Sequence, residues 1–470
     1  MSGNDYNWVP TFSLVALVTA VALIVGVAVG MGDQKLIYLA ALVAIPLALK
    51  WPVEVALGAV ALIIPFDAIL VAVKSGSGNT TVTWFVSLGA GALLLGRIIT
   101  GLRQPPPRVA MWWVLLIAWG SVTGFWAVDD SIVLHRLPTA WGLLIFYLAA
   151  VSSRISRKQL RIVLMLTVLG GCAAAIWASW SFFHGTFWGG NSSRASLSMD
   201  SHEMDPNFFA AMLLIPLSLS IGMFISSRRW LSKALLAVCA AAAMMAIILT
   251  MSRGALVAVV FLAGVYVFRL GLKMRAFAAV AVVLTLLAIA APPTFWKRMQ
   301  LDDRTASGTG RTNVWVVAAQ MIKHHPLGGV GLSNFPAAYA SYAGAAPHFE
   351  GYYKDSHNSY INILAEQGVV GLTLFLLAVF FTLRRLQGAI AALGAARAPA
   401  ILLVSCEAAL IAVLGSGFFL DLLFSKFVWF LLILCTLIAR AENEQAAASA
   451  RPAKAKLSTV ETVLNDPIFR

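Results

Sequence analysis

Asp205 to Leu270 reads DPNFFAAMLLIPLSLSIGMFISSRRWLSKALLAVCAAAAMMAIILTMSRGALVAVVFLAGVYVFRL. Three apolar runs, 207–225, 234–251 and 254–270, are parted by two short polar interruptions. A hydrocarbon layer of about 30 Å needs roughly 17–25 apolar residues of helix, and these runs meet that need. They are continuous rather than alternating, so they are helices and not barrel strands. The first interruption holds Arg228, Arg229 and Lys233, and the third run ends at Arg269 with Lys273 and Arg275 following. Arginine and lysine clustered in short loops mark the cytoplasmic side. The second interruption, Ser252-Arg253-Gly254, is therefore expected at the outer rim.

The same pattern extends outward over the whole chain of 470 residues, 60% hydrophobic and 11% charged, with mean hydropathy +0.85. A soluble domain would carry about a quarter charged residues. Further apolar runs fall near 11–30, 35–49, 52–73, 81–99, 109–127, 139–152, 160–182, 276–291, 358–382, 400–418 and 422–439. A window count gives about twelve to fourteen spans, the shorter ones being candidates for re-entrant or tilted pieces. The run at 11–30 has no basic leader and exceeds a usual signal core, so it is expected to be a retained helix.

The formal net charge of +14 is distributed as a membrane anchor rather than as a nucleic-acid surface. Arg97–Arg103–Arg108, Arg154–Arg157–Lys158–Arg161, Arg384–Arg385–Arg397 and the tail from Arg440 alternate with loops carrying Asp129, Asp130, Asp200, Glu203, Asp205, Asp302 and Asp303. Both termini are expected in the cytoplasm. The four cysteines, Cys172, Cys239, Cys406 and Cys435, all lie in apolar runs, which argues against a disulfide framework, and no metal-ligand spacing appears. The expected architecture is all-α, a polytopic transmembrane bundle with a periplasmic helical cap. Its parts are N-terminal transmembrane helices at 1–182, central ones at 183–291 with an outer loop at 183–206, the cap at 292–357, C-terminal helices at 358–439, and a disordered tail at 440–470.

Candidate chemistry crowds at the outer rim. Arg253 has no acid near it in sequence, and it either meets an anionic headgroup or snorkels as an interfacial anchor. Arg311 follows Gly308-Thr309-Gly310 and opens an amphipathic helix with Trp315, Ala319 and Ile322 at helical spacing. An arginine fork at a helix start suits phosphate oxygens, the alternative being a solvated surface arginine. Arg194, in the loop at 183–206, carries the same ambiguity. Pro326 stops the Arg311 helix and GGVGLSNF turns after it.

All seven histidines fall in outer segments. His357 lies in KDSHNSYINILAEQGVVGL, where Asp355 or Ser356 can cap a re-entering helix and leave the imidazole in its first turn. Asn358, Asn362 and Glu366 recur every fourth residue as a polar stripe, expected to face a cavity rather than lipid. The imidazole is then either a general base or an interfacial cap. Asp205-Pro206 reads first as helix initiation, and only second as chemistry.

DPNFFAAML, TMSRGALVA, GTGRTNVWVVAAQMIKHHPLGGVGLSNF and DSHNSYINILAEQGVVGL occur in that order and together resemble the O-antigen ligase and polymerase superfamily of bacterial envelope glycosyltransferases. The resemblance spans roughly residues 190–375. It implies a GT-C class, metal-independent enzyme without a cofactor in the bacterial inner membrane, facing the periplasm. The implied donor is a glycan on undecaprenyl pyrophosphate, and the implied acceptor is a sugar hydroxyl of lipid A–core. A growing glycan or a protein hydroxyl replaces that acceptor in polymerases and protein O-oligosaccharyltransferases. On this resemblance His357 is the general base, Arg253 and Arg311 bind the pyrophosphate, and Arg194, Asn358 and Asp205 are secondary substrate contacts. The short tail after Arg440 favours a ligase over protein-glycosylating relatives. A lipid-linked glycan transporter would spread polar residues through several midplane helices, which this chain does not.

The charge map makes a direct prediction. Cysteines introduced at Gly190 and Gly344 should react with an impermeant maleimide in cells whose outer membrane alone is permeabilised, and one at Ala395 should not. The reverse labelling would overturn the orientation.

Overall fold

The computed structural model describes residues 46–75, 78–185, 194–199, 202–271, 311–347, 351–394 and 398–444. The expected spans at 11–30 and 276–291, most of 35–49, the start of the cap and the tail beyond 444 lie outside the described residues. Helices dominate: α1 (Pro52–Ile63), α2 (Val82–Ile99), α3 (Ala110–Val122), α4 (Asp130–Ser152), α5 (Arg157–His184), α6 (Pro206–Ser226), α7 (Trp230–Leu249) and α8 (Arg253–Leu270) are followed by α9 (Arg311–His324), α10 (Phe335–Tyr342), α11 (Ser359–Leu393), α12 (Ala398–Ser416) and α13 (426–444). Two small antiparallel hairpins interrupt them, β1 (Val71–Ser75) with β2 (Gly78–Thr81) and β3 (Ser198–Met199) with β4 (His202–Glu203).

Among the described residues, α4 to α8 and α11 are long and apolar enough to cross a membrane, while α1, α2, α3 and α12 are apolar but shorter. The chain is an all-α, polytopic membrane protein. The apolar windows of α5 and α6 are 72% and 78% buried, against 39% and 33% for α7 and α8, so α5 and α6 form the centre and α7 and α8 the lipid-facing side. Inside the bundle the Tyr266 hydroxyl donates to the Ser218 carbonyl at 2.7 Å, and Ser218 Oγ donates to the Ser405 carbonyl at 2.8 Å. Such hydroxyl bonds join α6, α8 and α12 where hydrophobicity alone drives no association.

Several helix starts follow from local chemistry. Asp129, Asp205, Ser252 and Asn358 cap α4, α6, α8 and α11, and Ser156 forms a capping box with Gln159 on α5. The expected span at 52–73 is shorter: α1 passes into a single 3-10 turn at Ile64–Phe66, and β1 begins at Val71. Pro65 and the Ser75–Asn79 stretch of small residues stop a helix there, and flanking Val and Thr favour strand. Asp67, just past the turn, receives a 2.6 Å ion pair from Lys426 of α13.

The decisive irregularity is in α11. Gly368 has φ 67° and ψ −170°, so the helix breaks between its first turns and the rest. The break frees carbonyls that a lipid-spanning helix cannot leave bare. Val330 N–H donates to Ala365 O and Gly331 N–H to Glu366 O, each at 2.9 Å, and the Trp119 indole donates to Gln367 O at 2.9 Å. In return Val369 N–H donates to Pro326 O at 2.8 Å. The turn after α9, GGVGLSNF, is thus the plug of this break. Gly329, itself at φ 69°, lies so close that a Cβ would be driven into the Glu366 backbone.

The plug reaches a third element. Val128 N–H donates to Val330 O, Leu332 N–H donates to Thr123 Oγ1, and the Asn334 amide bonds both the N–H and the carbonyl of Asp129. Gly329→Ala should therefore lower the melting temperature and yield of the detergent-purified protein, with a cost of about 3 kcal/mol or more from backbone strain and overpacking. Gly264→Ala, whose Cβ would meet nothing within 4 Å, should leave both unchanged. Equal melting of the two variants would contradict the plug.

Candidate functional site

Four helix starts and their approach segments make the site. At α8 the chain turns through Met251 at φ 51°, Ser252 caps, and Arg253 is the first helical residue with its side chain exposed. The turn therefore precedes Arg253 rather than centring on it. A cation at a helix start opposes the macrodipole, and an anion bound there would satisfy both the guanidinium and the open N–H groups.

Asp205 caps α6, accepting from Asn207 N–H at 2.7 Å and Phe208 N–H at 3.1 Å. Helix initiation is thus the visible work of this carboxylate. Arg194 donates from Nε to Thr250 O and from a terminal nitrogen to Asn207 Oδ1, both at 2.7 Å. It clamps the turn before Arg253 to the start of α6, so its fork is engaged by protein.

Arg311 opens α9, as the sequence predicts, and is half-buried. Burial lowers its pKa below the ordinary arginine value, repulsion from Arg253 adds to this, and attraction to Asp205 opposes it. Arg253, Arg311 and Asp205 consequently share one electrostatic neighbourhood, with two guanidiniums to one carboxylate. Of the Trp315–Ala319–Ile322 stripe, Ile322 packs against the core of the cap. Val314, Val317, Ala318 and Met321 are buried against α10 and Ala365, while Ala319 is exposed. Trp315 instead donates its indole N–H to Ser356 O at 3.0 Å.

That bond brings α9 to His357. The cap of α11 is Asn358, not Asp355 or Ser356: its Oδ1 accepts from Tyr360 N–H at 3.0 Å and Ile361 N–H at 3.1 Å, and its Nδ2 donates to Phe418 O at 3.2 Å. His357 therefore sits just before the helix, exposed, at φ 48°. The 417–422 loop closes around this start, with Ser359 N–H donating to Gly417 O and Ser359 Oγ donating to Leu420 O, each at 2.7 Å. The same loop presses the Phe419 ring where a Cβ on Gly254 would stand, 2.8 Å away. Trp315 links the Arg311 helix to Ser356, and Phe418–Phe419 links Arg253–Gly254 to Asn358. The three chief candidates are thus gathered at one end of the bundle.

The polar stripe has a different destination from the expected cavity. Glu366 accepts from Ser333 N–H at 2.7 Å and Phe335 N–H at 3.2 Å, capping α10 from a distance. Asn362 donates to Asp421 at 3.1 Å and accepts from Ser356 Oγ at 3.1 Å. The stripe holds cap and loop to α11. Arg136 and Asp421 escape the sequence patterns altogether. Arg136 of α4 lies 4.6 Å over the Phe424 ring and attracts the Asp421 carboxylate. Burial raises the Asp421 pKa, Arg136 opposes the rise and Asp355 adds to it. An acid between two apolar runs was the only signal. Among the described residues no three His, Cys, Asp or Glu side chains gather as metal ligands would.

The fold and this mouth define a multi-pass helical membrane protein with a small helical cap over a guanidinium-bearing rim. Residues 235–376 match the family model described as O-antigen ligase. This stretch, just under a third of the chain, is similar to that superfamily, which implies a membrane glycosyltransferase-like enzyme and lipid-linked glycan substrates. The matched stretch includes Arg253, Arg311, His357 and Asn358, and begins after Arg194 and Asp205. No curated protein matches the chain.

Proposed function

We propose that the chain is an O-antigen ligase, which moves a glycan from undecaprenyl pyrophosphate to a sugar hydroxyl of lipid A–core at the periplasmic rim of the inner membrane. The observation that supports this is that Arg253 and Arg311 act on each other as like charges while Trp315 and Phe419 tie their helices to the start of α11, where His357 is exposed. The neutral imidazole takes the proton of the acceptor hydroxyl as its oxygen attacks the anomeric carbon of the donor. The anomeric C–O bond to the diphosphate breaks and its electron pair leaves with the phosphate. Direct displacement inverts the anomeric configuration.

The growing charge on the leaving diphosphate falls where two guanidiniums already stand, without needing to reorganise at the moment of reaction. Their forks fit phosphate oxygens in pairs, and mutual repulsion between them is relieved when the anion arrives. Arg194 serves by holding the Thr250 carbonyl and so the turn that aims Arg253. Asn358 serves by fixing the backbone that presents His357. Asp205 keeps the start of α6 in place and tempers the positive field.

The test is a gel profile of lipopolysaccharide from a strain lacking the gene, complemented with wild type or with His357→Ala at equal abundance. Wild type should restore the long ladder and the variant should leave bare core. Core capped by a single repeat unit in the deletion strain would make the protein a polymerase. A full ladder with His357→Ala would remove the histidine from the reaction.

A further inference from the structure

We infer that the rim opposite His357 holds a binding site for the phosphate of an anionic membrane lipid, built from Arg385 of α11 and Arg440 of α13. Two arginines on this rim are paired with acids. Arg269 forks onto Glu407, with Nε donating to Oε2 at 2.7 Å, and Arg157 pairs with Glu442. Arg97 also has a buried Nε without a hydrogen-bond partner, but it donates to Arg154 O at 2.8 Å and has Glu54 as its attracting acid.

Arg385 differs. Arg385 and Arg440 act on each other as like charges, and the Arg385 Nε is buried with no hydrogen-bond partner. Arg440 is fixed, donating to Val151 O at 2.8 Å and Pro105 O at 2.6 Å, with Glu444 its attracting acid. Tyr147 of α4 completes the surroundings, its hydroxyl 3.5 Å from Thr436 Oγ1. An orphaned buried donor on one of two half-buried guanidiniums that repel each other is the arrangement an anion would complete.

The neighbouring surface argues for a lipid rather than free phosphate. Phe381, one turn before Arg385 on the same face, stacks on Trp112 of α3 with ring centroids 5.4 Å apart. Phe380, Met111 and Leu115 are exposed beside them. An acyl chain along this apolar strip would put its headgroup at the level of Arg385, and basic residues at a membrane rim draw anionic lipid. The site is independent of the transfer reaction, since it lies at the far ends of α11 and α13 from His357.

The test is thermal unfolding of the full-length protein in phosphatidylcholine nanodiscs with and without phosphatidylglycerol. Phosphatidylglycerol should raise the wild-type melting temperature, and Arg385→Gln should abolish the rise, with about tenfold weaker retention of the lipid by native mass spectrometry. In phosphatidylcholine alone Arg385→Gln should melt no lower than wild type, because it removes a like-charge contact. Arg384→Gln, on the exposed neighbour, should keep the rise. Full retention of the rise by Arg385→Gln, its equal loss in Arg384→Gln, or its reproduction by inorganic phosphate would each overturn the lipid site. Should Arg385→Gln not fold, Arg385→Lys carries the test: loss of most of the rise supports a guanidinium fork, and full retention overturns it.

Discussion

A helix in lipid must satisfy its own backbone, and α11 does not. Everything at the cap end depends on how that debt is met. The break at Gly368 releases the carbonyls of Ala365, Glu366 and Gln367, and each is taken by a donor from elsewhere: Val330, Gly331 and the Trp119 indole. The plug is held in turn by the segment between α3 and α4 through Thr123, Val128 and Asp129. A break so fully bonded is a fixed joint. It lets the first turns of α11, with His357 ahead of them, belong to the cap while the remainder belongs to the bundle.

The charges at the cap end divide by the same logic. Buried Glu366 and its neighbour Asn362 spend their bonding capacity on protein N–H and amide groups, so they are part of the joint. Arg253 and Arg311 stand outside that joint, and Asp205 attracts Arg311. Both arginines stand in the first turn of a helix, where the macrodipole disfavours a cation and favours an anion. The proposed diphosphate would resolve both conflicts at once. Arg194 shows the contrast, because its guanidinium is bonded to Thr250 and Asn207 and shapes the turn.

The sequence made legible what depends on neighbours in the chain. Run length marked the membrane helices, Pro206 and Asp205 the start of α6, Arg311 the start of α9, and Pro326 the stop and turn after it. The order of the motifs pointed to the family that residues 235–376 match. What it hid depends on distant partners. The four-residue spacing of Asn358, Asn362 and Glu366 was plain, but Phe418, Asp421 and Ser333 as their partners were not, so the stripe suggested a cavity where the fold has a joint. Asp355, Ser356 and Asn358 can all cap locally, and the bond from Asn358 to Phe418 O accompanies the choice of Asn358. The role of Trp315 was equally invisible, because helical spacing reports a face and not what that face meets.

The proposed division of labour is that the arginine pair holds the diphosphate and His357 moves the proton. The most direct measurement is donor affinity and single-turnover transfer by purified protein in proteoliposomes, with a lipid-linked glycan and a core acceptor. The account predicts that His357→Ala binds donor as wild type does but does not transfer, while Arg253→Gln and Arg311→Gln bind it at least about tenfold more weakly. Donor binding lost in His357→Ala but intact in both arginine variants would contradict it.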